Sequence, residues 1–141
     1  MSAMVDSLRE VPLFSDLSAR DLKRLADSMH ELSFASGKEV VAQGKGGAAF
    51  FVILDGAARV TQGGEDRGLL TAGDYFGEMA LIDGDHRMAS VHAEGELRCA
   101  AMTSWTFRPF VRGHPDVAWA LLTALVRRAR ETDARHVAAT G

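Results

Sequence analysis

The chain has 141 residues, 47% of them hydrophobic and 25% charged, and its formal net charge is −3. Such a composition is that of an ordinary globular protein and excludes a disordered or fibrous chain, and the length predicts a single domain, 1–141. The net negative charge gives no global reason to expect direct contact with nucleic acid or with an anionic membrane.

A single cysteine, Cys99, excludes an intrachain disulfide. The chain also lacks a signal-peptide pattern and an apolar run of about 20 residues, so we expect a cytoplasmic location. Cys99 lies in the strand-like run ELRCAAM. This context favours a small buried side chain over a reactive thiol.

The N-terminal segment, 1–34, is predicted to be helical. Ser18 with Asp21 three residues later forms a start that resembles a capping box. Apolar residues then recur at helical spacing, namely Leu22, Leu25, Ala26, Met29 and Leu32. We therefore expect a first amphipathic helix over Ser18–His30.

The middle segment, 35–105, is predicted to be all β. From Gly37 onward, turn signals such as Asp55-Gly56, Gly63-Gly64 and Glu94-Gly95 recur every seven to eleven residues. The runs between them predict strands at Glu39–Ala42, Ala49–Leu54, Ala57–Gln62, Met88–Ala93 and Leu97–Thr103. This rhythm is typical of an antiparallel sandwich or roll.

After Trp105 the pattern becomes helical again, and we expect C-terminal helices over 106–136. Thr106–Arg112 predicts a short helix, and Pro115 begins a longer one because proline is tolerated in a first helical turn. The periodic signal fades near Thr132, so the last residues are expected to fray. The apolar positions of the longer helix form one stripe: Ala118, Leu121, Leu122, Leu125, Val126 and Ala129.

The run FGEMALIDGDHRMASV, from Phe76 to Val91, places an acid and a base around a glycine-led helical turn. Gly77 lets a ligand approach the backbone closely, and a helical turn that starts at Glu78 presents free N–H groups that bind an anion. Arg87 adds a permanent positive charge on a planar donor fork suited to phosphate oxygens. The arrangement fits a small phosphorylated ligand.

The same run resembles the phosphate-binding cassette of the cyclic-nucleotide-binding domains of protein kinase A, catabolite activator proteins and cyclic-nucleotide-gated channels. The resemblance rests on Phe76-Gly77-Glu78, Ala80-Leu81, and Arg87 followed by Ala89-Ser90-Val91. It extends to VPLFSDLS near Val11, LDGAARV near Leu54 and AGDYFGE near Ala72. It implies an antiparallel β-roll, a double-stranded jelly roll, with an N-terminal helix and two C-terminal helices.

The resemblance also implies a ligand-binding role for each residue of the cassette. Glu78 would accept a hydrogen bond from a ribose hydroxyl, and Arg87 would pair with the charge of a cyclic phosphodiester. The backbone N–H groups of Met88 and Ala89 would face the phosphate. By approximate alignment, Val60 and Leu70 would stack against the base. The remaining ligand-binding residues would be Phe76, Gly77, Met79 and Ala80.

Ordinary structural roles remain open for the same residues. Glu78 could interact with the macrodipole of a helix, a contact that stabilises by about 0.3–1 kcal/mol. Arg87 could form a surface ion pair with Asp83 or Asp85, which contributes ~0–1 kcal/mol. Val60 and Leu70 could simply belong to the core.

Two positions depart from the family pattern. Many members have threonine or serine where Met88 stands, and in members selective for cyclic GMP that hydroxyl helps to hold guanine. We therefore expect cyclic AMP as the regulatory ligand, with cyclic GMP possible, and no other cofactor. His86 stands where the family usually has proline. Loss of the proline could make the loop less rigid, or His86 could add a hydrogen-bond donor near the phosphate. The simpler alternative is a solvated loop histidine.

No catalytic or metal-binding group is predicted. Ser90 has no histidine and acid partners, and the loop that begins at Gly44 lacks the frame of a phosphate loop. The histidines lack metal-ligand spacing: His30, His86, His92, His114 and His136. We expect a non-catalytic sensor in signal transduction, in which the cassette and the C-terminal helices move together. The alternative is an interaction module or a fragment of a larger regulator, channel or kinase.

The last helix is the expected contact with partners. The spacing of Ala118, Leu122, Leu125 and Ala129 suits a short helical seam with a second copy or an effector protein, although packing on the chain's own roll explains these residues equally well. The resemblance further implies that Leu125, Arg128 or a neighbour covers the base as a lid.

Overall fold

Helices at both ends of the chain flank an antiparallel sheet formed by its middle. The structure is a computed structural model that describes residues 3–42, 44, 49–78, 82 and 89–140, with the backbone alone at 128 and 131–140. The N-terminal helices are α1 (Ala3–Arg9), a 3-10 helix (Pro12–Phe14) and α2 (Ala19–Asp27), and the C-terminal helices are α3 (Ser104–Gly113) and α4 (Pro115–Thr140).

The sheet contains six strands within the described residues: β1 (His30–Phe34), β2 (Glu39–Val41), β3 (Ala49–Gln62), β4 (Glu65–Thr71), β5 (Tyr75–Phe76) and β6 (Ser90–Thr103). The main order is β1-β6-β3-β4, while β2 also pairs with β6 and β5 with β3. All of these pairs are antiparallel. The predicted arrangement of a β segment between helices is therefore present.

The start of α2 agrees with the prediction, but its end does not. The Ser18 side chain accepts a hydrogen bond from the Asp21 N–H at 3.1 Å, which caps the helix as expected. The helix ends at Asp27, and the Ser28 hydroxyl donates to the Leu25 carbonyl at 2.8 Å. The prediction of helix up to His30 was wrong, because His30–Phe34 forms β1 along the edge of β6.

Two predicted turns lie inside long strands. β3 runs through Asp55-Gly56 and β6 runs through Glu94-Gly95, so four of the predicted strands merge into two. Gly56 has φ of 91°, and a Cβ there would collide with the Glu96 carbonyl oxygen. Here glycine permits a bulge and a close approach of two backbones rather than a chain reversal. The predicted turn at Gly63-Gly64 does connect β3 to β4.

Both C-terminal helices are longer than predicted. The short one begins at Ser104 rather than at residue 106, and the long one continues to Thr140, past the expected end at 136. Loss of apolar periodicity did not end the helix, and three of the eight residues from 133 to 140 are alanine, the best helix former. None of the described helices has the length and apolar character needed to span a bilayer.

β3 and β6 separate two apolar clusters. Phe50, Val52 and Met102 face the helices, where they pack with residues such as Leu25 and Phe107. The side chains that alternate with them form the roll cluster, whose buried members are Phe51, Ile53, Ala58, Phe76, Val91, Ala93, Leu97, Cys99 and Ala101. Because strand side chains alternate between faces, the run FFVI is buried on both sides.

Candidate functional site

The segment before the candidate cassette is fixed to β3 by backbone hydrogen bonds. The Gly73 N–H donates to the Ile53 carbonyl at 2.9 Å, and the Ile53 N–H donates to the Asp74 carbonyl at 2.8 Å. The Asp74 carboxylate accepts a further hydrogen bond from the Thr71 N–H at 2.8 Å. These contacts hold the turn that leads into β5.

Phe76 anchors the start of the cassette in the roll cluster. β5 places Phe76 opposite Phe51 of β3, and their rings stack with centroids 5.0 Å apart and an interplanar angle of 14°. The chain leaves β5 at Gly77, whose φ of 94° lies in the left-handed region that favours glycine. The backbone is helical at Glu78. Gly77 therefore changes the direction of the chain between two buried residues, Phe76 and Glu78.

Glu78 is the only buried charged residue within the part of the chain that the structure describes, with 3% of its surface exposed. Burying a carboxylate is costly unless polar groups compensate for the lost water. An interaction with a helix macrodipole is effective at the surface and needs no such burial. The burial of Glu78 therefore requires polar groups, of the protein or of a ligand, that compensate its charge.

Val60 and Leu70, on β3 and β4, form a wall of the roll cluster. Leu70 lies opposite Ala58 across β4 and β3, and Val60 lies opposite Gly68 on one side and Val91 on the other. Both are half-buried and pack against the roll cluster that contains Phe76.

Ala89 lies at the start of β6, next to the same wall. It is half-buried, and the residues after it, Ser90 and Val91, pair with Thr61 and Val60 of β3. Phe76, Val60 and Leu70 thus share one cluster, and Gly77, Glu78 and Ala89 are close in sequence to members of it. Met79, Ala80, Arg87 and Met88 lie outside the described residues, as does His86, so their predicted roles stay predictions.

Sequence reasoning missed the small residues of this wall. Ala58, Gly68 and Ala93 lie beside Val60 and Leu70 in the paired strands. The run of three small residues before Arg59 and Val60 in GAARV was the available signal for Ala58.

The opposite face of the same strands carries an ion-pair cluster. The Arg59 guanidinium lies 2.9 Å from a Glu94 carboxylate oxygen and 3.2 Å from one of Asp66, so it links β3, β4 and β6. The hydrogen bond to Glu94 is the main cause that raises the pKa of Arg59. Arg59 points away from the candidate site and acts as a surface clamp.

Neither a reactive thiol nor a metal centre is present among the residues described. Cys99 is buried as predicted, and burial raises the pKa of its thiol from 9.0 to about 12, so it stays protonated at neutral pH. No group of three or more His, Cys, Asp or Glu side chains is placed to hold a metal ion, within the same described ranges.

An apolar cleft on the other side of the sheet is a separate feature. It lies between α3, α4 and the 3-10 helix, and its lining includes Phe14, Phe107 and Leu121. All of its lining residues are apolar. Such a cleft offers nothing that recognises a phosphate or a ribose.

The described side chains of the last helix that are buried pack on the helical cluster. Its buried residues are Val117, which the predicted stripe omitted, and Leu121, whereas Leu122 and Val126 are 54% and 52% exposed. Packing on the chain's own core therefore does not explain Leu122 and Val126. Leu125 is half-buried and is not part of the roll cluster, so a lid over the base stays a prediction.

Comparison with known proteins gives the same picture for most of the chain. The family model of the cyclic nucleotide-binding domain matches residues 31–114. The cAMP-dependent protein kinase regulatory subunit of Mycosarcoma maydis is 39% identical over 134 residues, which are 89% of this chain and 24% of that protein. The cGMP-dependent protein kinase, isozyme 1, of Drosophila melanogaster is 42% identical over 96 residues, 63% of this chain and 12% of that protein.

The fold agrees with a solved structure as well. The catabolite activator protein of Thermus thermophilus superposes with a TM-score of 0.81 and 31% identity, over 88% of this chain and 61% of that one. The chain spans about a quarter of the length of the curated relatives it matches, 24% in the first case. The predicted β-roll with flanking helices is confirmed, and the chain belongs to the cyclic nucleotide-binding domain family.

Proposed function

We propose that this chain is a non-catalytic regulatory module that binds cyclic AMP on the roll-cluster side of the sheet. The observation that carries the proposal is the buried carboxylate of Glu78, 3% exposed, directly after the left-handed Gly77. A neutral ribose hydroxyl can donate to this carboxylate, whereas a phosphate would be repelled by it. The family relationship supports a nucleotide as the group that donates.

The proposed ligand lies along the wall described above. Its ribose contacts Glu78, and its base lies against Val60 and Leu70, with Phe76 supporting the turn from below. Its single negative charge pairs with Arg87. The backbone of the cassette completes the site, with contributions from Gly77, Met79, Ala80, Met88 and Ala89.

The choice of cyclic AMP over cyclic GMP rests on Met88. A methionine side chain supplies no hydroxyl to hold guanine, so the site lacks a contact that would favour cyclic GMP. The relatives include a regulatory subunit of a cAMP-dependent protein kinase and a cGMP-dependent protein kinase, so we propose titration against both nucleotides.

We propose that the output is a shift in the arrangement of the C-terminal helices. β3 supports this coupling, because Phe51 contacts the site while its neighbour Phe50 packs with Phe107 of α3, with ring centroids 5.1 Å apart. The corner between α3 and α4 is held by His114, whose Nδ1 lies 2.8 Å from the Phe110 carbonyl oxygen. Ligand can shift the helices only by the difference in its affinity for the two arrangements.

A second candidate function is an interaction module within a larger regulator. The observation in its favour is the exposed apolar face of α4, together with the fact that relatives are about four times as long as the matched segment. A cytoplasmic location remains our expectation from the sequence for either function. The two functions differ in whether a cyclic nucleotide binds.

Calorimetric titration with cyclic AMP and cyclic GMP tests the proposal. Arg87→Ala should weaken cyclic AMP binding about tenfold to a hundredfold or more, since a hydrogen bond to a charged group contributes about 1.5–3 kcal/mol. Arg98→Ala is the matched control, because Arg98 forms a surface ion pair with Glu31 at 2.7 Å on β1. Its affinity should equal that of the unmodified chain.

Three results would contradict the proposal. No binding by the unmodified chain would favour the interaction module, and equal affinity of the Arg87→Ala variant would remove the assigned phosphate contact. Conversion of cyclic AMP during incubation would show that the chain is an enzyme.

A further inference from the structure

His114 lies at the corner between α3 and α4 and connects both helices to α2. Its backbone carbonyl accepts hydrogen bonds from the N–H groups of Val117 and Ala118 at 3.0 and 3.2 Å, at the start of α4. Its ring stacks on Phe110 of α3, with ring centroids 4.2 Å apart and an interplanar angle of 27°. Its Nε2 lies 3.7 Å from a carboxylate oxygen of Asp21 on α2. A single residue therefore contacts all three helices.

The contact between His114 and Asp21 lies beside the apolar packing of these helices. Leu22, next to Asp21, and Val117, in the first turn of α4, are each 2% exposed and belong to the same cluster. The side chains of His114 and Asp21 themselves are 20% and 32% exposed. Partial shielding from water strengthens an interaction between charges, while the remaining exposure lets the ring exchange protons with the solvent.

The Phe110 carbonyl determines which ring nitrogen of His114 carries the first proton. Nδ1 lies 2.8 Å from this carbonyl oxygen, which can only accept, so Nδ1 carries a hydrogen. In the neutral ring, Nε2 then presents a lone pair to the Asp21 carboxylate, which also only accepts. The charged ring carries hydrogens on both nitrogens and can donate to both partners. Only the charged form of His114 therefore suits its surroundings.

Charges around the corner oppose one another except at Asp21. The C-terminal end of α3 favours a cation at His114, whereas the start of α4 at Pro115 disfavours one. The other charged side chains within five residues of either partner are all exposed: Asp16, Arg20, Lys23 and Arg24 beside Asp21, and Arg112 and Asp116 beside His114. In the part of the chain that the structure describes, none of them forms an ion pair with the ring or with Asp21. Asp21 is therefore the partner that favours the charged ring.

We propose that His114 is a proton-dependent latch between α2 and the corner of α3 and α4. The charged ring binds Asp21 and closes the latch, and the neutral ring releases Asp21 and opens it. Histidine is the side chain that ordinarily changes charge between about pH 5 and pH 8, where carboxylates are ionised. The contact forms only on folding and only with the charged ring, so its contribution to stability is present at low pH and is lost as pH rises.

The latch changes the balance between two helix arrangements and does not hold the helices alone. Leu25, Val117 and Leu121 still pack in one cluster when Asp21 is released. A partly buried ion pair at the end of a helix should favour the closed arrangement by about twofold to tenfold. This inference concerns the ligand-free chain and does not depend on nucleotide binding. That protons thereby act on the same helices as the ligand is a consequence that rests on the proposed function.

A double-mutant cycle in urea unfolding of the ligand-free chain tests the latch at about pH 5.5 and about pH 8. The variants are Asp21→Asn, His114→Gln and the two combined, and glutamine keeps a donor for the Phe110 carbonyl without a titratable charge. At the lower pH, the coupling should correspond to about a twofold to tenfold change in the folding equilibrium constant, and at the higher pH it should vanish. Loss of the Asp21 charge also weakens the start of α2 at both pH values, and the cycle removes this contribution.

The ion pair of His92 with Glu39 supplies the matched control. Nε2 of His92 lies 3.3 Å from a Glu39 carboxylate oxygen, and the pair joins β2 to β6 rather than the helices. Glu39→Gln should therefore leave the coupling between Asp21 and His114 unchanged at both pH values. Circular dichroism verifies that each variant folds.

Hydrogen exchange tests whether the latch acts on the corner itself. After correction for the intrinsic effect of pH, the Val117 and Ala118 amides of the unmodified chain should be about twofold to tenfold better protected at the lower pH. In Asp21→Asn their protection should be equal at the two pH values. This comparison decides the question even where His114→Gln does not fold.

The possible outcomes separate a latch from an ordinary structural contact. Equal coupling at both pH values would show that the contact does not depend on the charge of the ring, and this overturns the proposal. Absence of coupling at both pH values would show that Asp21 and His114 do not interact, which also overturns it. Equal amide protection of the unmodified chain at both pH values would show that the pair does not hold the corner.

Discussion

The substitution Glu78→Gln tests whether the buried carboxylate exists for the ligand or for the fold. Glutamine keeps the shape and removes the charge from a side chain that is 3% exposed. Loss of a hydrogen bond to a charged acceptor should weaken cyclic AMP binding by about 1.5–3 kcal/mol, or about tenfold to a hundredfold. The free energy of unfolding of the ligand-free chain should not fall by more than about 1 kcal/mol, because burial of the charge is itself unfavourable.

A ligand that lacks the ribose hydroxyl makes this experiment sharper. If Glu78 holds that hydroxyl, 2′-deoxy cyclic AMP should bind the unmodified chain more weakly by a similar factor, and Glu78→Gln should weaken it little further. The coupling between the two changes is measured by a double-mutant cycle in calorimetric titrations. Glu94→Gln is the control for loss of a carboxylate, because Glu94 pairs with Arg59 on the opposite face of the sheet.

Two results would refute the reasoning about Glu78. Additive losses from the substitution and the deoxy ligand would show that the carboxylate and the hydroxyl do not interact. A large fall in the stability of the ligand-free variant, with unchanged affinity in the folded fraction, would show that Glu78 serves the fold.

Three further predictions concern stability. Burial raises the pKa of Cys99 from 9.0 to about 12, so between these pH values the folded chain retains a proton that the unfolded chain releases. The free energy of unfolding should therefore fall as pH rises from about 9 towards 12. The Cys99→Ala variant should lack this slope, and an equal slope in both chains would contradict the assignment. Gly56→Ala should lower the free energy of unfolding by about 3 kcal/mol or more, because the new Cβ meets the backbone of β6 in addition to the unfavourable φ. Gly37→Ala should lower it by only about 1–2 kcal/mol, because the φ of 85° is unfavourable but the space around the new Cβ is open. In urea unfolding, Leu121→Ala should lower the free energy of unfolding by about 2–5 kcal/mol, because Leu121 is only 3% exposed. Leu122→Ala should lower it by less than about 1 kcal/mol, because Leu122 is 54% exposed. Equal losses in the two variants would refute the assigned orientation of α4.

Local signals predicted those parts of the fold that depend on neighbours in sequence. The cap at Ser18, the turn at Gly63-Gly64 and the start of α4 at Pro115 all involve contacts within a few residues. The left-handed Gly77 likewise marks a change of direction that sequence alone could indicate.

Contacts between distant strands decided the parts that were missed. His30–Phe34 follows a helical repeat, yet it pairs with the edge of β6 about 67 residues later, as in the ion pair of Glu31 with Arg98. An Asp-Gly dipeptide signals both turns and bulges, and only the backbone of β6 beside Gly56 distinguishes them.

In the candidate site, too, the sequence predicted what depends on neighbouring residues but not what depends on the pairing of distant strands. The sequence predicted that Glu78 and Gly77 belong together, because they are adjacent. It placed Val60 and Leu70 in the site only through a resemblance, and the pairing of β3 with β4 and β6 shows that they reach the cluster of Phe76. Apolar periodicity identified the residues of α4 but not which of them face the domain, since that depends on the neighbouring helix and strands.

The alternation along β3 has a consequence for how this chain can diverge over evolutionary time. Phe50 and Val52 contact the helical side, while Phe51 and Ile53 contact the roll side. A substitution at one position therefore alters packing against the helices, and a substitution one peptide bond away alters the roll cluster. Under the proposed function, ligand preference and output could then be selected separately, although a single strand carries both.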